Sequence, residues 1–353
     1  MYFERFCLER GIKKETVKGY KTSINHYTKF HQMTLDALID EAIDEENDST
    51  IKKRQRNIKQ RLIRFQVYLR TETDLKISTI QGHIKNISSL YRYFDVEVPK
   101  IPKLKNSDEN HLSYFDLPTK EQINMVINST GIRVASLILF MASSGTGRKE
   151  CAMMTIKDFI DACSRYHTKK TLPEIINELQ DCKKAIVPTF AIIRQKSQKH
   201  YYTFCTPEAA DAILKWLVLR LQICSQNGIE LKLEDSLWDL STRQITYHFS
   251  NINDELEFGF KGSYRFFRPH SLRKFHASNI ELPQEYIDLL QGRSRGIVRD
   301  SYIKTNPEWL REIYMEAMDN VTIQNDVKKK RSHEEFTINI NLNFYGWESS
   351  ISL

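Results

Sequence analysis

The sequence predicts a mainly α-helical chain with a small antiparallel β-sheet, an α+β architecture in two domains. Three observations predict it. Apolar residues recur at helical spacing through most of the chain. The runs Ile186–Arg194 and His200–Cys205 carry β-branched and aromatic residues on either side of the polar turn Gln195–Lys199, as a hairpin does. Residues 98–110, VPKIPKLKNSDEN, combine two prolines with lysines and a polar end, which reads as an inter-domain linker.

Residues 1–97 read as four helices: Thr16–Phe30, Leu35–Glu45, Lys52–Arg70 and Ile77–Phe94. Each is apolar at helical spacing and free of internal proline. The third carries Lys52, Lys53, Arg54, Arg56, Lys59, Arg61, Arg64 and Arg70 without one acid, while Ile51, Ile58, Leu62, Phe65 and Leu69 form an apolar stripe. Such a helix packs on one side and offers phosphates the other. Lys52, Lys53, Arg56, Lys59 and Arg64 are the contacts expected there; a merely solvated basic face is the alternative.

The second domain is expected over 113–320. Thr119 caps a helix at Lys120–Asn128, and an apolar helix follows at Ile132–Ala142. Residues 160–185 are polar and charged and read as an insertion or long connection. After the hairpin, Thr206 caps Pro207–Ser225, with proline in the first turn. Helices at Thr242–Leu256, His270–Ile280, Pro283–Gln291 and Pro307–Met318 complete it. In the tail, 321–353, Phe336, Ile338, Ile340, Leu342 and Phe344 alternate with Thr337, Asn339, Asn341 and Asn343, the pattern of a half-buried strand.

The chain has 353 residues, 41% hydrophobic and 27% charged, which fits a soluble protein with sizeable cores. Its longest apolar stretch, around Val134–Ala142, is too short to span a bilayer. The net charge of +7 is moderately basic. The six cysteines show no CxxC pair and no zinc spacing, so they read as reduced thiols. The charged start MYFERFCLER is no signal peptide, and a cytoplasmic, nucleoid-associated protein is expected.

Chemistry concentrates around one phenol. Arg148, Lys196, His270, Arg273 and Arg293 precede Tyr302 in that order. His270 and Arg273, three residues apart, share one helical turn and can point at one ligand. Cations with a phenol suit a phosphodiester held by its oxygens and attacked by tyrosine. A phenol is a poor nucleophile at neutral pH, so the site must neutralise phosphate charge and move two protons. Arg148 and Arg273 are the expected clamp on the non-bridging oxygens, and His270 the proton acceptor. Lys196, with Lys199 its rival in the same turn, is the expected proton donor to the leaving oxygen, and Lys199 is otherwise expected to contact DNA. Tyr314 and Tyr286 are weaker nucleophile candidates, and His276 lies elsewhere on the helix.

These segments resemble the tyrosine recombinases, the phage-integrase and Xer-like family. His270-Ser271-Leu272-Arg273 matches the H-x-L-R box. Leu290-Gln291-Gly292-Arg293 followed by Tyr302 is similar to the L-L-G-H segment and its nucleophile. Ser144–Glu150 resembles the T-G-x-R-x-x-E box, and Arg194–Ser197 the hairpin of the catalytic lysine. The likeness covers about 113–318 and is nearest to archaeal members; the N-terminal hundred residues match only in type.

The resemblance implies a helical core-binding domain joined to a catalytic domain that close on duplex DNA. It implies cleavage through a 3′-phosphotyrosine without metal, ATP or other cofactor, and a homodimer on each site that pairs into a homotetramer. A tail docking on a neighbouring protomer is also implied. The insertion at 160–185 leans toward a mobile-element integrase. Two departures matter. Arg293 stands where the family has histidine, and arginine cannot shuttle protons. Glu150 follows Arg148 by two residues instead of three, with Lys149 the fallback. A non-catalytic DNA-binding relative and a type IB topoisomerase-like enzyme are the competing readings.

Overall fold

The structure is a computed structural model that describes residues 1–104, 113–294 and 305–324. The chain divides into two compact units, Met1–Asn110 and His111–Leu353. The mainly α architecture with a small β component is the one expected.

In the first unit the described residues form five helices, not four: α1 (Tyr2–Glu9), α2 (Lys14–His31), α3 (Leu35–Asn47), α4 (Asn57–Thr71) and α5 (Ile77–Tyr93). Helix α1 escapes a periodicity search because only Phe6 of its residues is buried. The basic helix begins later than expected. Lys53–Gln55 form a 3-10 turn and Arg56 is extended; Asn57 opens α4, its amide donating to a Glu45 carboxylate oxygen on α3 at 2.7 Å. Four of the five stripe residues behave as expected, with Ile58, Leu62, Phe65 and Leu69 buried against Phe6, Tyr27, Leu38 and Tyr91; Ile51 precedes the helix and is only partly buried. Each such side chain contributes roughly 1.5–3 kcal/mol by leaving water. The segment read as linker starts on this core: Val98, Ile101 and Leu104 pack on it. The Pro102 and Leu104 carbonyls accept from Gln66 and Gln81, each at 3.0 Å.

The second unit is built round one helix. After a 3-10 turn at Tyr114–Asp116 come α6 (Lys120–Ser129) and α7 (Ile132–Ser144). Helix α7 is buried from Val134 to Ser144 and packs against α6, α11 and α13. Helices α8 (Arg148–Met153), α9 (Ile156–Ala162) and α10 (Leu172–Gln180) follow, then strands β1 (Thr189–Arg194) and β2 (Lys199–Phe204). Helix α10 lies inside the expected polar insertion; Leu172, Ile175, Ile176 and Leu179 form its buried face, four apolar residues among polar ones.

The hairpin is antiparallel, in register from Thr189 opposite Phe204 to Arg194 opposite Lys199. Then come α11 (Pro207–Gln226), α12 (Thr242–Glu255), a second hairpin of β3 (Phe260–Lys261) with β4 (Tyr264–Arg265), α13 (Pro269–Asn279), α14 (Gln284–Leu290) and α15 (Pro307–Ala317). Sequence periodicity missed the second hairpin, whose strands are two residues long; its turn glycine, Gly262, has φ +61°.

Thr119 caps α6 as expected, accepting from the Gln122 amide at 3.3 Å. Thr206 does not behave as expected: it occupies the N-cap of α11, but its side chain makes no cap hydrogen bond. Its hydroxyl is buried. The expected tail strand and Tyr302 lie outside the described residues. Among the described residues no helix is long and apolar enough to cross a membrane.

Candidate functional site

The site is assembled where four elements end. Helix α7 terminates at Gly145, which adopts φ +64° and turns the chain toward α8. Helix α13 opens at Pro269 and carries His270 and Arg273 on its first turn and a half. Helix α14 stops at Leu290, and Gly292, at φ +60°, turns the chain into Arg293. The β1–β2 hairpin closes the fourth side.

Arg273 is half-buried and already held. Its Nη1 donates to the Gly145 carbonyl at 2.7 Å and its Nη2 to the Gln291 carbonyl at 2.6 Å. Burial lowers its pKa, Arg194 and Arg293 press the same way, and Tyr201 and Glu150 oppose them. A guanidinium stays charged throughout and has five N–H groups, so others remain for a ligand. His270 is exposed on the same helix. Its pKa is lowered, by desolvation first and then by Lys274, Arg268, Arg273 and Arg293. His270, Arg273 and Arg293 therefore lie near enough to act on one another electrostatically. Arg293 also faces Asp288 at 3.7 Å.

The hairpin is fastened to the turn at Gly292 and Arg293. Arg194 Nη1 donates to the Gly292 carbonyl at 2.8 Å, and Lys199 Nζ to the Arg293 carbonyl at 2.9 Å. The Gln195 amide donates to Glu150 Oε1 at 3.1 Å, tying the hairpin turn to α8. Lys196 stands exposed in the turn 195–198, whereas Lys199, expected to meet DNA, is half-buried against Arg293.

Arg148 is placed differently from its expected partners. It opens α8, and its guanidinium donates to the Thr246 hydroxyl on α12. The neighbouring position faces Arg273: a Cβ added at Gly147 would lie 3.9 Å from Arg273 Nη1 and 2.5 Å from Glu150 Oε2. Gly147 is also the residue three before Glu150, the spacing at which the family's arginine would fall.

Of the rival groups, Tyr314 is fully buried and donates to the Ser143 carbonyl at 3.0 Å. Tyr286 packs edge-on against Trp309. His276 is fully buried, and desolvation, then Arg273 and Arg293, pull its pKa down to about 3. Sequence reasoning assigned no role to Arg194, Glu150 or Gln291. All three stood in quoted motifs, but nothing in their spacing says which way they point.

The expected contacts on the first unit separate into two groups. Lys52, Lys59 and Arg64 are exposed. Lys53 is exposed but paired with Glu97 at 2.6 Å. Arg56 is largely buried and ion-paired with Glu46 at 2.9 Å. Arg61 is likewise bound to Glu41 at 2.6 Å. Among the described residues no cluster of histidine, cysteine or carboxylates could hold a metal ion.

No protein-family model and no curated protein matches the sequence. Solved structures do. The XerH site-specific recombinase in a post-cleavage complex with palindromic difH substrate aligns at TM-score 0.50 and 14% identity, over 88% of this chain and 82% of that one. Its pre-cleavage complex aligns at 0.48 and 14%, over 89% and 80%. The Tn1549 transposon integrase with transposon right-end DNA aligns at 0.48 and 12%, over 89% and 98%. At such identities the likeness is one of fold, and the chain has the tyrosine recombinase and integrase fold.

Proposed function

We propose that this protein is a site-specific DNA recombinase of the integrase type, which cleaves and rejoins duplex DNA through a tyrosine. The observation that carries this reading is the convergence of His270, Arg273 and Arg293 at the ends of α13 and α14, beside a hairpin whose turn exposes Lys196. In this reading Arg273 and Arg293 bind the non-bridging oxygens of the scissile phosphate, helped by Arg148. His270 takes the proton of the Tyr302 phenol. The Tyr302 Oη–P bond forms, the P–O5′ bond breaks, and Lys196 protonates the leaving 5′ oxygen. Rejoining is the reverse, so bond energy is conserved and no cofactor is needed. Dimers on each site would pair as tetramers, with Lys52, Lys59 and Arg64 among the phosphate contacts of the first unit.

One observation favours a second reading, a DNA-binding relative without catalysis. Arg148 is turned to Thr246, and the position facing Arg273 is a glycine.

The two are separated by trapping with detergent. The protein is incubated with supercoiled plasmid carrying the DNA that flanks its own gene, beside Tyr302→Phe. A covalent adduct lost only in the variant supports the recombinase. Binding without adduct from the unmutated chain, on intact and nicked substrates alike, supports the second reading. An adduct surviving in the variant moves the nucleophile elsewhere.

A further inference from the structure

Arg273 and Gln291 are bonded in both directions. Arg273 Nη2 donates to the Gln291 carbonyl, and Gln291 Nε2 returns a bond to the Arg273 carbonyl at 3.0 Å. The same Nε2 lies 3.0 Å from His276 Nδ1. An amide nitrogen can only donate, so His276 Nδ1 is the acceptor and the ring proton sits on Nε2. Gln291 and His276 are both fully buried. Gly145 closes over them: a Cβ there would meet Gln291 Nε2 and His276 Nδ1 at 2.7 Å each. The Gly145 carbonyl is in turn the other acceptor of the Arg273 guanidinium.

This arrangement is a poor way to fill a core. Gln291 Oε1 and His276 Nε2 are buried and make no hydrogen bond among the described residues. Apolar side chains of the same size would avoid that desolvation. What the polar pair does achieve is registry. It ties the end of α14 to the main chain of α13 at residue 273 and to the ring one turn further on. That fixes both carbonyls on which the Arg273 guanidinium rests.

We infer that Gln291 is a positioning residue for Arg273, setting the guanidinium so that its remaining N–H groups meet a scissile phosphate. The inference rests on the cleavage reading above. Gln291 touches no substrate; it acts by holding Arg273 within the narrow tolerance that charge stabilisation demands.

The test is single-turnover cleavage of two nicked duplexes bearing the mapped site. One has the ordinary scissile phosphate; the other has a neutral methylphosphonate there, which leaves an arginine no negative charge to balance. The unmutated chain, Arg273→Ala, Gln291→Met and Gln291→Glu are compared, with melting temperature and duplex affinity measured for each. Gln291→Met keeps the length of the side chain but cannot donate, and Gln291→Glu keeps its shape and gives a second chance of a folded variant.

Gln291→Met is expected to slow the phosphate substrate about tenfold to a hundredfold, with affinity nearly unchanged. Like Arg273→Ala, it should match the unmutated chain on the methylphosphonate. Equal slowing on both substrates would show a merely structural role and overturn the inference. Full activity of both Gln291 variants on the phosphate, with Arg273→Ala impaired, would also overturn it while leaving the cleavage reading standing. Failure of the unmutated chain to cleave the phosphate substrate would remove the cleavage reading itself, and this inference with it.

Discussion

Arg194 and Lys199 face each other as the last register pair of the β1–β2 hairpin, and they donate to consecutive carbonyls, those of Gly292 and Arg293. Two cations from one hairpin thus grip the turn that leads toward Tyr302. Gly292 has no room for a side chain there, since a Cβ would lie 2.5 Å from the Tyr201 ring.

Loosening that grip should be local. Hydrogen bonds from charged donors contribute about 1.5–3 kcal/mol each. Arg194→Met is therefore expected to raise hydrogen exchange at 291–294 while leaving α7 and α11 protected. Unchanged exchange at that turn would mean the hairpin is not what holds it.

Arg273→Ala is expected to abolish adduct formation, a loss of at least about a hundredfold, while duplex affinity stays within several-fold. The structure gives the reason: the guanidinium is held by the main-chain carbonyls of Gly145 and Gln291, and the basic helix belongs to the other unit. Lost binding with cleavage otherwise intact would assign Arg273 a structural role.

Bases of the first unit should divide by their pairing. Replacing Lys52, Lys59 and Arg64 by Gln is expected to flatten the salt dependence of binding, by about 0.9 in log–log slope for each phosphate no longer neutralised. Arg56→Ala should instead destabilise the unit by about 1–3 kcal/mol, because it leaves the half-buried Glu46 with the Glu97 amide but without its ion-pair partner. An unchanged salt slope in the first set would take α4 out of the interface.

The pH dependence of cleavage follows from His270. Its lowered pKa keeps the ring neutral, and able to accept a proton, at pH values below the usual histidine midpoint of about 6.5. The acid limb of the cleavage profile should therefore fall below that value. A limb at or above it would exclude His270 as the acceptor.

Acid stability has a separate origin. In the folded chain His31 is pulled down to about 4, by desolvation and the nearby Arg61. Below about pH 6.5 the unfolded chain takes up protons that the folded chain refuses. Stability from His31 is thus present above that pH and is lost as pH falls toward 4. Denaturation at pH 7 and pH 5 should show a smaller loss for His31→Phe than for the unmutated chain; equal losses would rule this origin out.

The sequence by itself determined the fold class, the main helices, the first hairpin and the order of the chemical groups. These depend on local periodicity, turn residues and proline, and on motif spacing along the chain. It placed His270 and Arg273 on one turn because three residues of helix fix that geometry. Tertiary structure alone decided which cations face the site. Arg56 and Arg61 meet carboxylates on α3, Lys199 meets a carbonyl from the α14 turn, and Arg148 meets a hydroxyl on α12. Each partner lies ten to a hundred residues away in sequence, and a long side chain on a flexible stem takes its direction from whichever partner the packing supplies. The Arg273–Gln291 pair is hidden for the same reason: its four bonded groups come from three separate helix ends, and only their packing brings them together.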